Sequence, residues 1–123
     1  SPDGTHVDVV NLSAWLTAHP MRADQDMSIQ ELGRSQSASY HIAQVRMREE
    51  PHIHQTHDAV VRLERGYGTF FLGSHQLHLR PGSIVNIPRD IAHHFVNESS
   101  QPAVAFVVFS PPFDGSDIVS VSE

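Results

Sequence analysis

The run His52-Ile53-His54-Gln55-Thr56-His57-Asp58 and the later run Gly82-Ser83-Ile84-Val85-Asn86-Ile87-Pro88-Arg89-Asp90-Ile91-Ala92-His93-His94-Phe95-Val96-Asn97 decide how this chain is read. A divalent transition metal needs imidazole nitrogens and carboxylate oxygens converging on one point, and a strand delivers side chains to one face at every second residue. If residues 52–58 stay extended, His52, His54 and Asp58 project to the same side. His57, and His94 beside His93, then point the opposite way. The pattern predicts a mononuclear site for one divalent transition metal (Fe, Ni, Mn, Cu or Zn) with His52, His54, Asp58 and His93 as ligands.

Outward from these runs the chain reads as β structure. Residues 28–32, 39–47, 59–64, 69–72, 76–79, 83–87, 92–96 and 103–109 are strand candidates, the last apolar enough to be buried on both faces. Gly33, Arg65-Gly66-Tyr67-Gly68 and Gly73-Ser74 punctuate them, and Pro81-Gly82 suits the centre of a type II turn. Short strands with glycine punctuation mean a sandwich or barrel. One helix is expected over residues 11–19, with Asn11 or Ser13 as N-cap, Pro20 as stop, and Leu12, Trp15 and Leu16 as its buried stripe. Pro111-Pro112 ends the sheet, leaving a tail that is a loop or an edge segment. The expected division is a lead with a short helix over 1–27, a barrel over 28–113 and a tail over 114–123.

At 123 residues and 39% hydrophobic content, the chain fits one domain. A net charge of −6 with only eight Lys and Arg argues against a nucleic-acid surface or an anionic-membrane patch, so a small-molecule ligand or substrate is the expected partner. The absence of cysteine excludes disulfides, thiolate nucleophiles, iron–sulfur clusters and cysteine-ligated zinc. No apolar run approaches the ~20 residues of a transmembrane helix. The chain starts at Ser1 with the polar lead Pro2-Asp3-Gly4-Thr5, which reads as a processed or truncated chain. A secreted or periplasmic location is the expectation, and a trimmed cytosolic chain would look the same.

The two runs resemble the paired motifs of the cupin superfamily, G-x5-H-x-H-x(3,4)-E-x6-G and G-x5-P-x-G-x2-H-x3-N. Gly82, Pro88, His93 and Asn97 match the second motif, with Asp90 in place of its middle glycine. In the first, His52 and His54 match and Asp58 stands where glutamate is usual. The closing glycine arrives one place late as Gly66, and Arg46 replaces the opening one. The resemblance covers roughly residues 40–110 and implies an all-β, single-domain cupin β-barrel, or jelly roll, with a metal on His52, His54, His93 and Asp58. It also implies a possible homodimer through the sheets, for which residues 28–32 are a candidate edge.

Each residue has a plainer reading. His6, His19, His41, His75 and His78 are most simply surface or partly buried polar groups, with His41 placed where a cupin can supply a pocket residue. The three motif histidines could fill the barrel of a relative that has lost its metal. Asp58 is one methylene shorter than glutamate, so it either ligates directly or orients a bound water or a histidine N–H. His57 could replace it only if a bulge reversed the strand parity. Gly82, Pro88 and Asn97 are turn formers, and Asp90 caps a turn through its side chain or gates the pocket. Arg62 and Glu64 share the parity of Asp58 and could face inward, although charge pairs on strands are more often solvated. Beyond the histidines and Tyr67 no general base is evident. Three chemistries remain open: a dioxygenase on a small organic molecule, a Lewis-acid lyase, isomerase or hydrolase, and a non-catalytic metal or small-ligand binding protein.

Overall fold

A computed structural model of the chain describes residues 9–121. The polar lead with His6 lies outside them. The expected helix forms as α1 (Leu12–Ala18), capped by the Asn11 side chain, which accepts the Ala14 N–H at 3.0 Å. Its stripe is half-buried rather than buried. Leu12 lines a shallow groove with Leu32, Ile42 and Phe106 on the outer side of a sheet. Among the described residues no helix is long and apolar enough to cross a membrane.

Ten strands follow among the described residues: β1 (Met27–Arg34), β2 (Ser39–Val45), β3 (His52–His54), β4 (Asp58–Arg65), β5 (Gly68–Leu72), β6 (His75–Leu79), β7 (Ile84–Ile87), β8 (His93–Asn97), β9 (Ala103–Ser110) and β10 (Ile118–Ser120). They form two antiparallel five-stranded sheets, in the orders β1-β2-β9-β4-β7 and β10-β3-β8-β5-β6. This is the all-β jelly roll that the strand pattern and the resemblance both implied. Val45, Leu63, Phe70, Val85, Ile87, Phe95, Val107 and Phe109 fill the space between the sheets. β9, central in its sheet, buries Ala103, Val104, Val107 and Phe109, whereas Phe106 and Val108 are only half-buried, short of the burial on both faces that its apolar sequence predicts.

Several special residues fix the frame. Gly82 sits at φ 95° and the Ser83 N–H reaches the Arg80 carbonyl at 2.9 Å, closing the expected turn. A Cβ on Gly68 would lie 2.1 Å from the Val96 carbonyl oxygen, so only glycine permits β5 to approach β8 there. Asp90 occupies the motif's glycine position at φ 66°, the region that favours glycine, and its backbone N–H donates to the His54 carbonyl at 2.9 Å. Its backbone thus ties the β7–β8 loop to β3. The Asn97 amide donates to the carbonyls of Arg46 and Gln101 and accepts the Ser99 N–H, the turn-forming role expected of it. Arg46, in the opening glycine's place, reaches the carbonyls of Gln25 and Arg22 and clamps the connector ahead of β1.

One feature departs from the expected strand pattern. Residues 52–58 do not stay extended: the chain bends at Gln55-Thr56, so β3 lies in one sheet and β4 in the other. The tail takes the second of its two expected forms, an edge segment, with β10 at the margin of its sheet. β10 pairs with β3, placing Ile118 opposite His54 and Ser120 opposite His52.

Candidate metal centre

His52 and His54 alternate along β3, and His93 opens β8 directly opposite His52. Among the described residues, these three offer ligand nitrogens that all lie within 4.8 Å of one another. Their ring centroids are 4.3 to 5.3 Å apart. Two adjacent strands therefore bring the three motif histidines together.

The hydrogen bonds decide which nitrogen each ring presents. The His52 Nδ1 lies 2.8 Å from the Glu50 carbonyl and the His93 Nδ1 lies 3.0 Å from the Ile91 carbonyl. A carbonyl only accepts, so both Nδ1 atoms carry the proton, and Nε2 is the nitrogen that each ring in its neutral form can offer a metal. The buried His54 Nδ1 faces the Asp117 Oδ1 at 3.7 Å, longer than a hydrogen bond, and the nearby carboxylate favours the proton on that nitrogen electrostatically. Burial also disfavours charge on two of these rings. It pushes the His54 ring down, with His52 adding to it, and pushes His93 down to about 4 against the pull of the Ile91 carbonyl. Imidazoles with ligand nitrogens this close together are the donor set a divalent transition metal requires.

Asp58 is not brought to these histidines. It heads β4 with its side chain exposed, accepting the Arg89 N–H at 3.1 Å and facing the Arg89 guanidinium at 3.5 Å. The bend at Gln55-Thr56 is the reason: it shifts the parity, so odd-numbered Ala59, Val61 and Leu63 face the interior and even-numbered Asp58, Val60, Arg62 and Glu64 face outward. Arg62 and Glu64 pair on that outer face at 3.3 Å. Replacing Asp58 by asparagine is therefore expected to leave the metal content unchanged, and a loss in elemental analysis would show that the carboxylate reaches the ion. His94 points away from His93 as expected and stacks on Phe71 at 4.5 Å. His41 is buried beside Phe109 and bonded to the Ser39 hydroxyl at 2.8 Å, and Tyr67 is exposed.

The same bend turns His57 inward, contrary to the extended-strand expectation. It is buried against Phe109 and Phe113. Its Nδ1 lies 2.6 Å from the Asp117 carboxylate and its Nε2 2.9 Å from the Pro112 carbonyl. Both nitrogens donate, so His57 is an imidazolium: burial opposes the charge, but Asp117 and Pro112 outweigh it and raise the group above its ordinary value. With no lone pair left, His57 offers nothing to a metal despite its proximity to Asp114 and Asp117.

Asp117 is the residue that sequence reasoning missed. It precedes β10, and its Oδ2 accepts the Thr56 N–H, the Thr56 hydroxyl and His57, while Oδ1 faces His54. Burial works against its charge, yet His57 and Thr56 hold the carboxyl well below the usual carboxylate range. Both Oδ1 and the His54 Nδ1 are buried without a hydrogen-bond partner, and they face each other. Metal-ligating imidazoles commonly donate their second N–H to a carboxylate, and a small approach of Asp117 to His54 would make that bond. The only local signal was the apolar pair Ile118-Val119 after Gly115.

The three histidines open on a cavity of about 450 Å3 between the sheets, within the range of small-molecule sites. Its walls are apolar, with Val45, Leu63, Phe70, Ile87 and Val107 among them, and its charged lining comes from Asp26 and from Arg48, Glu49 and Glu50 between β2 and β3. Burial pushes the Glu49 carboxyl up to about 7, against a hydrogen bond from the Phe95 backbone.

These shifts set the acid stability of the metal-free protein. His93 is held neutral in the fold, so its contribution is present above pH 6.5 and lost as pH falls toward 4, worth up to ~3 kcal/mol; His54 acts in the same direction. Glu49 has the opposite sign, because the fold favours its neutral acid and stability is lost as pH rises from 4.5 through 7. The terms partly cancel between pH 4.5 and 6.5. Urea unfolding of Glu49→Gln should therefore show a steeper rise in stability across that window than the parent. Equal slopes would refute the assignment.

A family profile described as a cupin domain matches residues 40–109. An uncharacterised protein of Aquifex aeolicus (strain VF5) is 29% identical over 97 residues, covering 79% of each chain. Among solved structures, an uncharacterised conserved protein with a double-stranded β-helix domain from Klebsiella pneumoniae aligns with TM-score 0.77 at 11% identity, over 96% of this chain and 100% of that one. Streptomyces Pac13 with uridine aligns with TM-score 0.70 at 15% identity over 79% of each chain, and Pac13 is described as a nucleoside dehydratase. At these identities the structural likeness speaks for the fold alone. With both histidine motifs inside the matched span and a two-sheet barrel around them, this chain belongs to the cupin family.

Proposed function

We propose that this cupin is a metalloenzyme that holds one divalent transition metal on His52, His54 and His93 and acts on a small, largely apolar organic molecule in the adjoining cavity. The supporting observation is the convergence of the three rings, whose ligand nitrogens lie within 4.8 Å of one another, with the Nδ1 atoms of His52 and His93 tied to backbone carbonyls and that of His54 facing the Asp117 carboxylate. When bound, the metal supplies Lewis acidity and, if redox-active, access to dioxygen chemistry. Three protein ligands leave positions for a substrate that chelates through two oxygens. The apolar walls exclude water from the rest of it. The reading we favour is a dioxygenase acting on an enol or catechol-like compound.

Elemental analysis of protein purified without added metal or chelator, followed by oxygen uptake with the iron-loaded protein and a panel of catechols and β-diketones, tests this. About one equivalent of metal and substrate-dependent uptake are expected. No metal, and no change in thermal stability on adding any of the five ions, would overturn it. A redox-neutral lyase or isomerase is the second reading, favoured by the Glu49 carboxyl poised near neutrality in the same cavity. Substrate turnover without oxygen uptake would select it. Ligand-linked stabilisation without turnover would mark a binding protein.

A further inference from the structure

β3 ends at His52, paired with His93, but the chain preceding it continues along the same edge of β8. Arg48 bridges Val96 and the Glu49 N–H donates to the Phe95 carbonyl at 3.0 Å. The Glu49 carboxyl in turn accepts a hydrogen bond from the Phe95 backbone, so residue 49 is held at both ends by one residue of β8. Phe95 lies two residues beyond His93 on the same inward face, about 6.6 Å along the strand. The Glu49 side chain is thereby anchored in the wall of the cavity that His52, His54 and His93 also line, and it lies outside the ligand set. A substrate held at the histidines would share that cavity with Glu49.

We propose that Glu49 is the general base of this site, accepting the ionisable proton of a substrate whose enol, catechol or comparable hydroxyl is ligated at the histidine cluster. The inference rests on the metal reading above. In the step, the substrate O–H bond breaks, an O–H bond forms on the Glu49 carboxylate, and the electron pair stays on the substrate oxygen. One negative charge moves from Glu49 to the substrate, so the total charge in the cavity is unchanged and no proton enters solvent. The near-neutral carboxyl suits this task, since its ionised and protonated forms are both accessible at neutral pH. The charged and titratable groups facing the same cavity are Arg48 and Glu50 on its own connector, Asp26 ahead of β1, His52 and His54 on β3, and His93 on β8.

Zinc-loaded protein, which is redox-silent, can be titrated with catechol by calorimetry at pH 7.5 in two buffers of different ionisation enthalpy. The parent should retain the catechol proton and show little buffer dependence. Glu49→Gln, with zinc content unchanged, should release about one more proton per catechol to the buffer and bind roughly 10-fold more weakly, the equivalent of one pKa unit. Glu49→Asp keeps a carboxylate and should restore part of the proton uptake, which separates the chemical role from a packing role. It also serves if the glutamine variant fails to fold. Equal proton release in parent and both variants, with zinc and catechol bound in all, would overturn the role of Glu49 and leave the metal reading intact. Absence of catechol binding by the zinc-loaded parent would overturn the substrate class. Absence of zinc in the parent would overturn the metal reading itself, and the role of Glu49 with it.

Discussion

Asp117→Asn is expected to destabilise the protein by about 3 to 5 kcal/mol, because it leaves the buried His57 imidazolium without its counter-charge. A drop in Tm of about 10 °C or more should follow in a chain of this size. The same substitution should weaken metal binding by roughly 10- to 100-fold, since the carboxylate facing the His54 Nδ1 is lost as the orienting partner of that ring. The two effects can be separated. His57→Ala should also cost stability, but Asp117 keeps its Thr56 contacts and its place opposite His54, so metal content should not change. Metal affinity measured on folded Asp117→Asn and found equal to the parent would restrict Asp117 to a structural role. Equal loss of metal in His57→Ala would show that the tail acts on the site only through general disorder.

The His52→Ala/His54→Ala double variant should lose the metal outright. Four-ligand zinc sites bind with ~10–16 kcal/mol, or about 3 per ligand, so removing two of three histidines corresponds to a loss on the order of 10^4-fold or more. Elemental analysis should fall from about one equivalent to background. The rise in Tm on adding metal to the parent should vanish in the variant, because a ligand stabilises only the state that binds it. Retention of one equivalent in the double variant would place the ion elsewhere and remove the basis of the proposed function.

The chain's own order of residues determined the barrel and three of its metal candidates. Alternation of apolar residues, glycine and proline at the turns, and the spacing of His52, His54 and His93 are local properties, and local properties can be read in one dimension. The type II turn at Pro81-Gly82 and the helix cap at Asn11 were legible for the same reason: each depends on what a residue can do with its immediate neighbours. The carboxylates were not legible in this way. Asp58 has the right spacing only while residues 52–58 run straight, and the bend at Gln55-Thr56, which carries the chain from one sheet to the other, shifts the parity. Its carboxylate goes out to Arg89 and His57 goes in. Asp117 lies far along the chain from His54, in a segment with little pattern of its own, and reaches it only because β10 pairs with β3. Glu49 looks like one acid in a polar connector until β8 takes up its backbone and the apolar walls desolvate its carboxyl. Side-chain type and spacing decide what a strand can present. Sheet pairing and burial, which join residues distant along the chain and set their charge, decide which acid stands beside which histidine.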